Sequence, residues 1–134
     1  MKRLICIAGI IEVLVGLLHF FMPQFFDKSE SFLNLPSVEM DYILLVTYAV
    51  GILLIAFGAT TILFSRKYKE LENILYYYVM IQTILWSVRV ILELLYPVRL
   101  EMFYLKPFSL IVLPGLIFEL ALFIYIFTKL RKRS

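Results

Sequence analysis

The sequence predicts an all-α fold, an integral membrane four-helix bundle with both termini on the cytoplasmic side. Three observations predict it. Apolar residues make up 63% of the 134-residue chain and charged residues 17%, against about 45–50% and 25% in ordinary soluble domains. The apolar residues gather into four runs of the length a bilayer demands, about 20 residues each. The basic residues gather at the ends of those runs, in a pattern that puts both termini on one side.

The first run covers residues 4–22. Met1-Lys2-Arg3 followed by apolar sequence looks like a secretory signal, but the run continues to Met22 without a small-residue cleavage site. It is read as a retained span, closed by Pro23. The other spans are expected at residues 43–64, 74–96 and 105–127. Between the first two, Pro23, Phe25, Phe26, Phe32, Leu33 and Leu35 alternate with charges. That pattern suits either a short amphipathic helix at the outer interface or an ordinary aromatic belt. Tyr76, Tyr77 and Tyr78, near the inner end of the third span, read as belt residues. No flexible linker or internal repeat divides the chain, so residues 1–134 form one domain.

Orientation follows from Lys and Arg in the flanks. Lys2 and Arg3 open the chain, Arg66, Lys67 and Lys69 lie between spans two and three, and Lys129, Arg131, Lys132 and Arg133 close it. The 23–42 segment carries Lys28 against Asp27, Glu30, Glu39 and Asp41. An even number of spans places the three basic clusters on the same side, the cytoplasmic one. The chain is therefore expected to be a multi-pass cell-membrane protein, in the inner membrane if the source is bacterial. Basic clusters beside apolar spans are topology signals, and no nucleic-acid partner is expected.

Several chemistries are excluded. A single cysteine, Cys6, cannot form an intramolecular disulfide. A single histidine, His19, rules out bis-histidine haem ligation and the HExxH zinc motif. No metal site or cofactor is expected, and nothing beyond isolated acids argues for an enzyme.

Five ionisable side chains lie inside the spans: Glu12, His19, Arg89, Glu93 and Glu119. Each costs at least about 2.5–3.5 kcal/mol at a helix centre, so they must be paired, wetted or used. Helical spacing of three and four aligns Gly9, Glu12, Gly16 and His19 in span one. It aligns Thr47, Gly51, Leu54, Gly58 and Thr61 in span two, and Gln82, Trp86, Arg89, Glu93 and Tyr96 in span three. In span four Gly115 and Glu119 share a face, one turn after Pro114. Small and polar residues let membrane helices associate closely, so these stripes are expected to face inward and form a polar seam. Gly51 and Gly58 would serve either the bundle or a homo-oligomer.

Depth divides the seam. Glu12, Gln82 and Glu119 form an inner layer. His19, Arg89 and Glu93 form an outer one, where Arg89 and Glu93 are spaced for an ion pair. The inner layer has two acids and no base. Either one acid keeps a proton, or Arg89 reaches inward. The candidate ligand-binding or proton-linked residues are thus Glu12, His19, Gln82, Trp86, Arg89, Glu93 and Glu119.

Two resemblances bear on function. Gly16-Leu17-Leu18 with Pro23, then Leu33-Asn34-Leu35-Pro36, then Tyr48, Gly51 and Gly58, with Arg89 and Glu119 in the later spans, resembles the DoxX-like superfamily of four-span bacterial membrane proteins. That resemblance implies the bundle. Some members look like accessory subunits of quinone-linked oxidoreductases, and Arg89 and Glu119 are the positions carried over. Ala8-Gly9-Ile10-Ile11-Glu12-Val13 is similar to the first span of small multidrug resistance transporters, whose membrane glutamate exchanges protons for cationic drugs. The first resemblance implies a protein that binds a lipophilic, quinone-like or lipid-like molecule, or docks on a membrane partner subunit. The second implies a proton-coupled small-molecule transporter using Glu12, although Arg89 in the bundle would disfavour a cationic substrate.

Overall fold

The computed structural model describes residues 1–26, 33–95 and 108–131. Within them are four long helices: α1 (Lys2–Phe26), α2 (Ser37–Arg66), α3 (Glu72–Leu95) and α4 (Phe108–Arg131). All four are long and apolar enough to cross a membrane.

Two boundaries differ from expectation. Helix α1 passes through Pro23 to Phe26, so Pro23 does not close the first span. Proline removes one backbone donor and crowds the preceding turn, but here the helix carries on for another turn, with Pro23 itself buried. Helix α2 starts at Ser37, ahead of the expected span, and has 30 residues. Met40 and Glu39 donate their amides to the Pro36 carbonyl as the helix opens. The 23–42 loop, expected to carry a short interfacial segment, is narrower than that: residues 23–26 belong to α1 and residues 37–42 to α2, while residues 27–32 and Tyr96 lie outside the described residues.

Helix ends carry suitable charges for the backbone dipole. Glu39 and Glu72 lie in the first turns of α2 and α3, and Arg66, Lys129 and Arg131 in the last turns of α2 and α4. The α2–α3 connection is short. Its Lys67 carbonyl accepts from the amides of Glu70 and Leu71.

The helices run antiparallel in sequence order. Helices α1 and α2 meet backbone to backbone at two levels. A methyl group placed on Gly9 would lie 2.7 Å from the Gly58 carbonyl oxygen, and one on Gly16 would lie 2.8 Å from that of Gly51. The reverse substitutions meet the same obstacles, at 2.6 Å from Gly58 and 3.0 Å from Gly51. Seven residues separate the glycines on each helix, two turns, so both contacts fall on one face. Gly51 and Gly58 thus serve the bundle. Helices α3 and α4 meet less closely, through side chains such as Tyr76 stacked on Phe127 at 5.2 Å between ring centroids.

The packed apolar core lies towards the end that holds the N-terminus and the end of α4. Ile5, Ala8, Leu75, Val79, Trp86, Phe123, Ile126 and Leu130 form it. The clusters Lys2–Arg3, Arg66–Lys69 and Lys129–Arg131 lie at that same end and are largely exposed. The outside is apolar: Leu14, Leu45, Ile84 and Phe118 are each more than half exposed. Among the described residues the buried polar side chains are Glu12, Thr61, Ser65, Gln82 and Glu119. Polar residues inside and large aliphatic ones outside fit lipid as the solvent.

The buried stripe of α4 is Glu119, Phe123, Ile126 and Leu130. Its spacing of four, three and four continues outward through Leu116 rather than Gly115. Gly115 is exposed, and a methyl group there would touch nothing within 4 Å. The expected inward face for Gly115 is therefore corrected by one position.

Alanine substitutions test this packing. Gly58→Ala is expected to destabilise the protein by about 1–3 kcal/mol, as overpacking does. Gly115→Ala is expected to be neutral or to stabilise by up to about 1 kcal/mol through helix propensity. Unfolding titrations in detergent micelles measure both, and equal effects at the two positions would refute the backbone contact.

Candidate functional site

The glycine register fixes where polar groups meet. Gly9 opposite Gly58 and Gly16 opposite Gly51 put Glu12 level with Ile55. Thr61 lies six residues further along α2, about 9 Å in axial rise. Side chains on helices lean towards their own N-terminus. Because α1 and α2 are antiparallel, Glu12 and Thr61 lean towards each other, and Thr61 Oγ1 comes to 2.9 Å from Glu12 Oε2.

A network grows from that contact. Trp86 on α3 donates its indole Nε1–H to Glu12 Oε1 at 3.2 Å. Thr61 Oγ1 also lies 2.9 Å from the Phe57 carbonyl oxygen and 3.0 Å from the Tyr78 hydroxyl. Tyr78 donates to the same Phe57 carbonyl at 2.7 Å. Gln82 Nε2 donates to the Tyr78 hydroxyl at 2.9 Å. Three helices are joined by this chain. Glu12 and Thr61 are fully buried and Gln82 is nearly so.

The fourth helix contributes an acid. Glu119 is 1% exposed, and among the described residues neither carboxyl oxygen has a hydrogen-bond partner. Helix α4 packs against α1 as well as α3, and Glu119 and Glu12 are both buried inside the bundle. Removing a polar group from water without a partner is expensive, and for a charge far more so. Among the described residues of the polar seam, Glu119 is thus left bare, while Glu12 holds two donors.

Arg89 does not relieve this pair. Its guanidinium meets Glu93 on the next turn of α3 at 2.7 Å, with the Arg89 side chain 42% exposed. Within the outer layer Arg89 and Glu93 pair with each other, as their spacing of four allows. His19 hydrogen-bonds through Nδ1 to the Val15 carbonyl at 2.8 Å on its own helix. Glu12, His19 and Glu93 do not converge, and no group of three metal-ligating side chains comes together among the described residues.

Of the sequence candidates, the structure brings Glu12, Gln82, Trp86 and Glu119 to one region. It sets Arg89 with Glu93, and His19 against its own backbone. Two members of the network were not among the candidates. Thr61 shows as part of the glycine stripe but without a role. Tyr78 resembles a belt residue in the sequence, and the structure corrects this: its hydroxyl turns into the seam, while Tyr77 is exposed and Tyr76 packs on Phe127. Its signal was the spacing of four from Gln82, which puts both on one face.

No family model, curated protein or solved structure matches the chain.

The asymmetry between the two acids is testable by stability. Trp86→Phe strips a donor from a buried acceptor and is expected to cost about 1–3 kcal/mol. Glu119→Gln removes a like charge and breaks no hydrogen bond, so thermal unfolding in micelles should show it neutral or stabilising. A Glu119→Gln variant less stable than Trp86→Phe would show that Glu119 is partnered.

Proposed function

We propose that the protein is a multi-pass membrane transporter that exchanges a proton for a lipophilic cation at the Glu12–Glu119 pair. In this reading the four helices cross the cell membrane with both termini cytoplasmic, as the shared basic end favours. The observation that carries it is the bare carboxyl of Glu119 beside Glu12. Two buried acids without a base need a positive charge between them, and a proton or a cation can supply it. Trp86 and Tyr78 add aromatic rings of the kind that attract organic cations. The commitment of Arg89 to Glu93 supports this reading, since the cation that would repel such a solute is engaged elsewhere.

Binding of a neutral quinone-like or lipid-like molecule, or docking on a partner subunit as in the DoxX-like superfamily, is the second reading. It is favoured by the open surface at Gly115, where α4 has room beside it for an acyl chain or a partner helix.

Tetraphenylphosphonium in detergent micelles separates the two. Trp86 is the only tryptophan, so its fluorescence reports binding at the site. Protons and cation compete, so affinity is expected to rise with pH, by about tenfold per unit for one proton exchanged. Glu12→Gln and Glu119→Gln are each expected to flatten that dependence. Binding that is absent, or that does not vary with pH, would remove the exchange reading and leave the second.

A further inference from the structure

The seam places one hydroxyl where it can serve Glu12 in both of its charge states, and this rests on the proton-exchange reading above. We propose that Thr61 is the positioning residue for that exchange: its hydroxyl reverses its hydrogen bond as Glu12 gains or loses a proton.

Hydrogen counting carries the argument. A hydroxyl has one hydrogen to give and two lone pairs to accept with. Thr61 Oγ1 stands within 3.0 Å of three groups: the Glu12 carboxyl, the Phe57 carbonyl and the Tyr78 hydroxyl. With Glu12 ionised, Thr61 donates to Oε2 and Trp86 donates to Oε1. The Phe57 carbonyl is then served by Tyr78, whose oxygen in turn accepts from Gln82. No member of the network is left unpaired.

With Glu12 protonated on Oε2, the direction of one bond inverts. The carboxyl O–H donates to Thr61 Oγ1, and Thr61 turns its own hydrogen to the Phe57 carbonyl. Oε1 goes on accepting from Trp86, whose indole can only donate. Again each group is paired, and no heavy atom has moved. Orphaned buried groups cost about 1–3 kcal/mol each, so a network complete in both states lets the charge change without that penalty. The Phe57 carbonyl keeps its helical amide partner and Tyr78 when Thr61 is turned to Glu12, so the reversal leaves it paired throughout.

The groups facing Glu12 are few. Helix α2 brings Thr61, helix α3 brings Trp86 and the titratable Tyr78, and helix α4 brings Glu119. Thr61 is the group among them, hydrogen-bonded to Glu12, that can either donate or accept.

The test compares Thr61→Val, which keeps the shape and removes the hydroxyl, with Thr61→Ser, which keeps the hydroxyl. Tetraphenylphosphonium affinity of the full chain in micelles is measured across pH. At neutral pH Thr61→Val is expected to bind about tenfold more weakly or worse, the effect of taking a donor from a charged acceptor. The deficit should close as pH rises and Glu12 ionises in both proteins, and Thr61→Ser should follow wild type throughout. A deficit that persists at every pH is a packing defect and overturns the proposal, as does a Thr61→Val profile equal to wild type.

Should Thr61→Val fail to fold, Tyr78→Phe gives an independent reading. Tyr78→Phe leaves Thr61 and the helical amide bond to the Phe57 carbonyl in place, so its pH profile is expected to follow wild type, and a pH-dependent deficit there would assign the role to Tyr78 and overturn the proposal. Wild-type binding that ignores pH overturns both the exchange reading and this one. A pH-dependent wild type with an indifferent Thr61→Val overturns this one alone.

Discussion

Two glycine-to-glycine contacts set the geometry on which everything else in this bundle rests. Where Gly9 meets Gly58 and Gly16 meets Gly51, no side chain stands between α1 and α2. Backbones that touch cannot slide, because any shift drives a carbonyl oxygen into a neighbouring side chain. The axial register is thereby fixed, and the lean of helical side chains does the rest. Glu12 and Thr61 meet because their helices are antiparallel and locked at that level. A register one turn away would bring Phe57 or Ser65 to the place of Thr61.

From that contact the polar seam extends in one direction and the apolar packing in another. Tyr78, Gln82 and Trp86 bring α3 to the acid by hydrogen bonds, while Ile5, Leu75, Phe123 and Leu130 close the end of the bundle by burial. Helix α4 joins mainly by apolar contact. Its one polar residue in the buried stripe, Glu119, finds no donor. The bundle is thus well satisfied around one acid and unsatisfied around the other, an imbalance that a purely structural seam has no need of.

The sequence made the helices and the inward stripes legible because both depend on local period. Spans need only a long apolar run, and the Arg89–Glu93 pair needs only a spacing of four. Glycine faces on spans one and two were visible for the same reason. Register between helices was not visible, because periodicity assigns a residue to a face and says nothing of which residue stands opposite. Thr61 therefore appeared as one of a stripe, and its contact with Glu12 required the structure. Tyr78 was hidden by its neighbours: three tyrosines in a row resemble an interfacial belt, and only their rotation about α3 separates the one that turns inward. Gly115 shows the limit of period itself. Spacings of three and four both preserve a face, so the stripe of α4 had two ways to continue beyond Glu119.

The locked pairing of the first two helices also bears on how the chain is made. Proteins are synthesised from the N-terminus, and early segments organise before later ones exist. Helices α1 and α2 contain both glycine contacts and the Glu12–Thr61 hydrogen bond, so the first hairpin carries within itself the contacts that hold its buried acid. Trp86 then adds the second donor as the third helix arrives. Glu119 belongs to the last of the four helices to be made, so Thr61 and Trp86 are in place to hold Glu12 before the second acid joins it.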